Sequence, residues 1–96
     1  MPNVEITYTG LIRTAVGRRN ERLDMAQGAT LGELLQEVVR HHGPGVRRFL
    51  FDDDTGLPPH AIVIVNGRGV RDMAASLGEE QPVVRILVMS PMMVGG

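Results

Sequence analysis

One long amphipathic helix, flanked by strand-like segments, is the feature that most limits how this chain can fold. Thr30-Leu31-Gly32-Glu33 has the spacing of a capping box, in which a threonine hydroxyl and a glutamate carboxylate satisfy backbone N–H groups at a helix start. The positions that follow fall on one face of a helix, and Gly43-Pro44 ends it. These positions are Leu31, Leu34, Leu35, Val38, Val39 and His42. A helix with one apolar face predicts packing against a sheet.

Two alternating segments before the helix predict the first strands of that sheet. Residues 4–8 alternate apolar and polar side chains, and residues 21–25 do the same, so the second segment can pair back on the first as a hairpin partner. Gly10 and Gly17 mark the connection between them, and its apolar residues are expected under the edge of the sheet. They are Leu11, Ile12, Ala15 and Val16.

Beyond the helix, two strongly apolar segments predict the interior of the sheet. Residues 61–65 form an unbroken run, mostly β-branched, which is typical of an interior strand. Asn66-Gly67 then predicts a tight hairpin turn, with the return strand beginning at residues 69–71. The apolar run at residues 83–89 predicts the last core strand.

Three further segments have weaker patterns. Residues 46–51 are a candidate short strand, and the Asp, Gly and Pro residues of segment 52–59 predict a loop. Residues 73–77 are a candidate single helical turn before the final strand. The predicted order is therefore two strands, a helix, two or three short strands and a last core strand.

The chain ends in apolar residues and two glycines directly after the predicted last strand. Proline at the start of this segment cannot continue a strand ladder, and two residues without a Cβ suit a narrow channel and leave a terminal carboxylate sterically open. The segment consists of Pro91, Met92, Met93, Val94, Gly95 and Gly96. We therefore predict a domain of residues 1–90 and a projecting tail of residues 91–96. A frayed terminus whose glycines occur by chance is the alternative.

Composition limits the classes of function. Ninety-six residues suit one domain, too small to hold a deep catalytic cleft beside a full core. With no apolar run near about 18 residues and no signal-peptide pattern, a cytoplasmic location is expected. A net charge of -1, with two phenylalanines and one tyrosine, gives no reason to expect nucleic acid or a membrane as a partner. The sequence has no cysteine, so a thiol nucleophile and a thiolate metal site are excluded.

Three motifs together resemble those of the ubiquitin-like MoaD/ThiS sulfur carriers. They are Thr30-Leu31-Gly32-Glu33-Leu34 at the helix start, Val65-Asn66-Gly67 in the hairpin and the tail Ser90-Pro91-Met92-Met93-Val94-Gly95-Gly96. The tail is similar to the Pro-Pro-x-x-Gly-Gly ending of that family and is the most specific of the three. The resemblance covers nearly the whole chain.

The resemblance implies both a fold and a chemistry. The fold is α+β, a β-grasp with a mixed sheet of four to five strands, one main helix packed across it, and the first and last strands adjacent and parallel. An E1-like adenylyltransferase would use ATP and Mg²⁺ to adenylate the carboxylate of Gly96, and a sulfur donor would convert the acyl-adenylate to a thiocarboxylate. The tail residues before it, Pro91 to Gly95, would enter the partner's channel, where methionines adapt to more than one pocket.

The pathway implied first is molybdenum cofactor biosynthesis, with this chain as the small, MoaD-like subunit of molybdopterin synthase and a MoaE-like protein as the sulfur acceptor. Sulfur transfer in cysteine, thiazole or specialised-metabolite biosynthesis, conjugation through Gly96 as a protein modifier, and a β-grasp interaction domain without tail chemistry remain open. The chain itself is not predicted to be an enzyme or to bind a cofactor, because it shows neither a Gly-rich phosphate loop nor a catalytic triad.

Other candidate sites are weaker. The acidic run at residues 52–54 lacks the alternate spacing and the distal glutamate of a calcium loop. His41 and His42 end the helix and His60 is remote in sequence, so no metal site is predicted. Some arginines are candidates for meeting an acidic partner surface, although exposed arginine is also an ordinary solvated residue. They are Arg18, Arg19, Arg22, Arg47 and Arg48.

Overall fold

The described part of the chain folds into a five-stranded mixed sheet with one main helix across it. The computed structural model describes residues 3–52, 56–78 and 81–89. The strands are β1 (Asn3–Gly10), β2 (Asn20–Asp24), β3 (Ala61–Val65), β4 (Arg68–Gly69) and β5 (Val83–Val88). The helices are α1 (Leu11–Val16), α2 (Leu31–His42) and α3 (Arg47–Leu50), with a 3₁₀ turn at Pro44–Val46. This arrangement confirms the predicted α+β, β-grasp architecture.

The strand order in the sheet is β2-β1-β5-β3-β4. The first and last strands form the central pair and run parallel, with Glu5 opposite Val83 and Gly10 opposite Val88. β2 pairs antiparallel with β1, and β3 pairs antiparallel with the other edge of β5. The predicted adjacency of the first and last strands is therefore confirmed, and β5 is hydrogen-bonded along both edges.

The core lies between one face of the sheet and α2. Alternate residues of each central strand are buried, as a period of two requires for a sheet with one covered face. The buried side chains include Val4, Ile6 and Tyr8 of β1, Val84, Ile86 and Val88 of β5, and Leu31, Leu34, Leu35 and Val38 of α2. Burial of each large aliphatic side chain contributes about 1.5–3 kcal/mol relative to exposure. The outward residues of β1 and β5, on the opposite face, are exposed or half-buried.

The capping box at the start of α2 is confirmed. The Glu33 N–H donates to the Thr30 hydroxyl oxygen at 3.2 Å, and the Thr30 N–H donates to the Glu33 carboxylate at 2.8 Å. The next two N–H groups, of Leu31 and Gly32, donate to backbone carbonyls of the segment before β5. The first turn of α2 is thus held by its own cap and by a neighbouring segment.

The tight turn between β3 and β4 is also confirmed. Asn66 has φ 51 and Gly67 has φ 83, so both central residues lie in the left-handed region that a type I′ hairpin turn requires. β4 covers only the end of β3, pairing with Ile64 and Val65.

The predicted strand at residues 46–51 is wrong, because this segment forms the 3₁₀ turn and α3. Val46 and Leu50 are both buried, whereas Arg48 between them is exposed. In a strand Arg48 would share their face, but in a helix only the residues four positions apart do. Pro44 stands at the start of the turn, where its fixed φ favours helical geometry.

Two connections also differ from expectation. Residues 11–16 form α1 rather than a loop, with Ile12 buried in the core. Residues 73–77 do not form a helical turn: the carbonyls of Met73 and Ala75 accept from the first N–H groups of α2, and Ser76 makes an antiparallel bridge to Thr30. Those carbonyls satisfy the helix start, while Met73 and Ala74 form a turn in which the Ala75 N–H donates to the Asp72 carbonyl at 3.0 Å.

Candidate functional site

The end of β5 fixes the point from which the predicted tail begins. Met89 follows β5, and its N–H donates to the carbonyl of His60 at 3.1 Å, extending the contact with the β3 side by one residue. The Met89 side chain is 40% exposed. The chain is therefore anchored in the sheet up to residue 89.

Gly10 determines how closely β1 and β5 approach at this end. It has φ 78, and a Cβ built on it would lie 2.2 Å from the carbonyl oxygen of Val88. Any other L-residue would be strained at that φ and would also collide with the neighbouring backbone. A residue without a side chain is thus required where β5 ends.

The predicted tail residues lie outside the described residues. They are Pro91, Met92, Met93, Val94, Gly95 and Gly96, and the predicted boundary between residues 1–90 and 91–96 lies outside them too. Their assignment as the reactive carboxylate and channel-binding segment therefore stays a prediction.

Arg71 supports the backbone next to Met89, the last described residue before the predicted tail. One guanidinium nitrogen donates to the Ala61 carbonyl at 2.8 Å, and the other donates to the carbonyls of Leu57 and Pro58 at 2.9 Å each. Two of these carbonyls lie in the segment that leads into β3 and includes His60, and the third, of Ala61, belongs to the first residue of β3. The arginine thus fixes the backbone against which Met89 is held.

A polar network joins β1, β2 and the end of α2. The Tyr8 hydroxyl donates to the Glu21 carboxylate, and His42 Nε2 lies 2.6 Å from the same oxygen. Burial alone would raise the pKa of Glu21, but the hydrogen bonds from Tyr8 and His42 outweigh it, and the net pKa is lowered. Burial, reinforced by the carboxylate, raises the pKa of Tyr8. Tyr8 therefore remains a neutral donor, and the network ties the helix to the outer hairpin.

The histidines and the acidic run do not form a metal centre in the described ranges. His41 Nε2 lies 3.2 Å from Glu37, His42 contacts Glu21, and the His60 carbonyl is used by Met89. Asp52 forms a backbone bridge with Gly56, whereas Asp53 and Asp54 lie outside the described residues. No group of three or more metal-ligating side chains occurs in the part of the chain that the structure describes.

The arginines singled out in the sequence do not come together. Arg18 lies 3.4 Å from Glu21, while Arg47 and Arg48 stack over the rings of Phe51 and Phe49. The structure instead brings Arg13, Arg19 and Arg85 to one cleft, lined also by Thr7, Tyr8 and Thr9. The signal missed in the sequence was Arg85, which stands at an outward position of an otherwise apolar strand.

A sequence relative aligns with most of this fold. Small archaeal modifier protein 1 of Haloferax volcanii is 35% identical over 80 residues, which span 83% of this chain and 85% of that protein. The chain belongs to the ubiquitin-like MoaD/ThiS-type family of sulfur carriers and modifiers. No protein-family model matches it.

Several solved structures share the fold of this chain. The crystal structure of Haloferax volcanii small archaeal modifier protein 1 superposes with a TM-score of 0.79, 22% identity and coverage of 94% of this chain and 100% of that one. The putative molybdopterin converting factor subunit 1 of Pyrococcus furiosus superposes with a TM-score of 0.67 and 22% identity, over 94% of this chain and 100% of that one. A chain of the Amycolatopsis orientalis BexX/CysO complex superposes with a TM-score of 0.71 and 24% identity, over 91% of this chain and 96% of that one. At these identities the superpositions show the fold.

The helices of this family member are short. Within the described ranges, none is both long and apolar enough to cross a membrane.

Proposed function

We propose that this chain is a sulfur carrier whose Gly96 carboxylate is adenylated by an E1-like adenylyltransferase and then converted to a thiocarboxylate. The acceptor proposed first is a MoaE-like large subunit, with this chain as the small subunit of a molybdopterin synthase. The chain is a substrate in this scheme and not an enzyme, and ATP and Mg²⁺ are bound by the activating partner.

The observation that supports the proposal is the position of β5. The strand that leads to Gly95 and Gly96 is the centre of the sheet, bonded to β1 on one edge and to β3 on the other. A segment of seven residues, the number that follows Met89, spans at most about 25 Å when extended. A segment that is attached to the centre of the sheet and is only seven residues long suits a carboxylate that is to be presented to another protein.

The chemistry follows from the weak electrophilicity of a carboxylate. One oxygen of Gly96 attacks the α-phosphorus of ATP, pyrophosphate leaves, and the acyl carbon now carries AMP as a leaving group. A donor that supplies sulfur at the oxidation level of sulfide attacks this carbon, and AMP departs. Oxygen is thereby replaced by sulfur on the carrier, and the activating partner supplies the Mg²⁺ that neutralises the phosphates.

The test is the intact mass of the chain after incubation with ATP, Mg²⁺, an E1-like adenylyltransferase and a sulfide donor. A carrier gains about 16 Da, since one oxygen is exchanged for sulfur by nucleophilic substitution. An unchanged mass with adenylyltransferases from the molybdopterin, thiazole and cysteine pathways would contradict the proposal. Transfer to a MoaE-like subunit, measured as loss of that gain, tests the acceptor.

A second function, protein modification, is favoured by one comparison. The relative that shares 35% identity is named a modifier protein. The same adenylate would then pass Gly96 to a lysine amine of another protein, with AMP leaving. Covalent conjugates of higher mass that depend on ATP and on Gly96 would favour the modifier, whereas a stable thiocarboxylate without conjugates favours the carrier.

A further inference from the structure

We propose that the face of the sheet opposite α2 carries an arginine cleft that receives acidic side chains of a protein partner. The cleft has a volume of about 330 Å³ and is lined by Thr7, Tyr8, Thr9, Arg13, Arg19 and Arg85. The cleft lies entirely within the folded domain, so its proposed role is independent of the chemistry proposed for the tail.

Three separate elements bring the arginines together. Arg13 belongs to α1, Arg19 directly precedes β2, and Arg85 is an outward residue of β5. The β1 register places Thr7 opposite Arg85 on one side and opposite Asn20 on the other, so Thr7 forms the floor between the basic residues. The Tyr8 N–H donates to the Arg19 carbonyl at 2.7 Å, which holds the connection against β1. The cleft is therefore built by the fold of the sheet and not by one flexible segment.

Among the residues that the structure describes, no carboxylate pairs with any of the three guanidinium groups. In the described ranges, the ion pairs involve Arg18 and Arg40, and none involves Arg13, Arg19 or Arg85. The acidic residue of β1 on this face, Glu5, lies opposite Arg22 in the strand register and two residues from Thr7, about 7 Å along the strand. Three neighbouring unpaired cations repel one another and favour an incoming anion.

An apolar surface beside the cleft identifies the anion as part of a protein. Arg85 also lines a second, wider cavity with Ile64, Asn66, Gly67 and Val83, and the side chain of Val83 is 44% exposed. Ile62 and Leu87 face each other in the register next to it and are half-buried. A free oxyanion would use the cleft alone, whereas a protein segment with acidic and apolar side chains in succession would use both cavities. Guanidinium groups bind carboxylates in bidentate geometry, which fits Asp or Glu on such a segment.

The experiment is an NMR titration of the ¹⁵N-labelled full chain that follows the arginine Nε–Hε resonances. The probe is a peptide of three glutamates followed by three leucines, and the matched neutral probe has glutamines in place of the glutamates. We expect the acidic probe to shift Arg13, Arg19 and Arg85 saturably, together with the amides of Val83 and Leu87. The shifts should be several times larger than those of Arg47 and Arg48 and should weaken as ionic strength rises.

Charge reversal supplies the matched variants. Arg13→Glu/Arg85→Glu should weaken binding of the acidic probe about tenfold or more, because it places like charges in the cleft. Arg47→Glu/Arg48→Glu changes net charge equally on another part of the surface and should keep affinity within about twofold. All four side chains belong to exposed residues, so both variants should remain folded, which thermal unfolding checks.

Three outcomes would overturn the inference. Equal chemical-shift changes at all exposed arginines would show that the peptide binds through non-specific electrostatic attraction. An equal loss of affinity in the two double variants would show an effect of net charge alone. Inorganic phosphate binding as tightly as the acidic peptide would show a site for small oxyanions. Failure of the acidic peptide to bind would not contradict the proposed sulfur chemistry of Gly96. Failure to load sulfur on the chain would not contradict the proposed binding surface.

Discussion

Gly10 and Val88 face each other across the central parallel strand pair so closely that no side chain fits between them. A Cβ on Gly10 would lie 2.2 Å from the Val88 carbonyl oxygen, and the φ of Gly10 is 78. The contact occurs at the last residue of both strands. The end of β5, from which the tail continues, is therefore set by a backbone contact.

Replacing Gly10 with alanine should destabilise the fold by about 2–4 kcal/mol, from left-handed strain together with the collision. Gly17→Ala is the matched control, because Gly17 has φ 85 but nothing within 4 Å of its built Cβ. It should cost only about 1–2 kcal/mol, the strain alone. Urea unfolding measures both, and equal losses would show that the contact with Val88 does not matter.

Arg71→Ala should cost about 1–3 kcal/mol, since three carbonyls lose a charged hydrogen-bond donor. Arg71→Lys should recover only part of this, because an ammonium does not reproduce the planar fork. Hydrogen exchange at the Met89 amide should also accelerate, as its acceptor His60 lies in the supported segment. If Arg68→Ala on β4 had the same effect, the loss would reflect general surface charge instead.

The Glu21 network predicts a loss of stability in acid. Folding lowers the pKa of this carboxyl, so the unfolded chain binds its proton more readily than the folded chain does. The contribution is fully present above the unfolded-state pKa and is lost as the pH falls through the folded-state value. Glu21→Gln should therefore flatten the acid limb of a stability curve, and an unchanged limb would contradict the role of the network.

Glu37, whose ion pair is exposed, serves as a comparison that separates the effect of burial on acid stability from the effect of charge. The hydrogen bond from Arg40 lowers the pKa of Glu37 as well, but this pair is exposed, with Arg40 at 71%. Salt should remove the effect of Glu37→Gln and leave that of Glu21→Gln largely intact, since screening is weak for buried pairs. The measurement is the same acid unfolding series at low and high salt.

Local patterns in the sequence predicted local structure well. The cap of Thr30 and Glu33 and the turn at Asn66-Gly67 each involve residues within four positions, so their geometry follows from nearby side chains. The strand prediction for residues 46–51 was wrong because a segment this short, with arginine at two of its six positions, has no decisive period. Burial of Val46 and Leu50 by the rest of the fold selected a helix.

Long-range relationships were harder to predict. Alternation in β1 and the apolar run in β5 indicate strands that contact the core, but not the partner or direction of either strand. The parallel pairing came from the family resemblance. The arginine cleft could not be predicted, because Arg13, Arg19 and Arg85 belong to different elements that only the folded sheet brings together.

Changes at Gly96 should abolish loading without affecting the fold. Gly96→Ala adds a Cβ next to the carboxylate, and one residue added after Gly96 moves the carboxylate away from the position that the partner would activate. Both variants should unfold like the original chain, while sulfur incorporation falls by about 100-fold or more, the scale expected for a misplacement of about 1 Å. Val16→Ala, in α1, is a control that should be loaded normally.

The most direct measurement localises sulfur to the last residue. The chain has no lysine and Arg85 is its last arginine, so trypsin releases residues 86–96 as one peptide. Methionine oxidation in this peptide adds nearly the same mass as an exchange of oxygen for sulfur, so loaded chain is treated with iodoacetamide before digestion. With no cysteine present, alkylation of this peptide, dependent on ATP and activating enzyme and placed by fragmentation at Gly96, is the predicted result. A peptide that gains mass only at its methionines and is never alkylated would contradict the account.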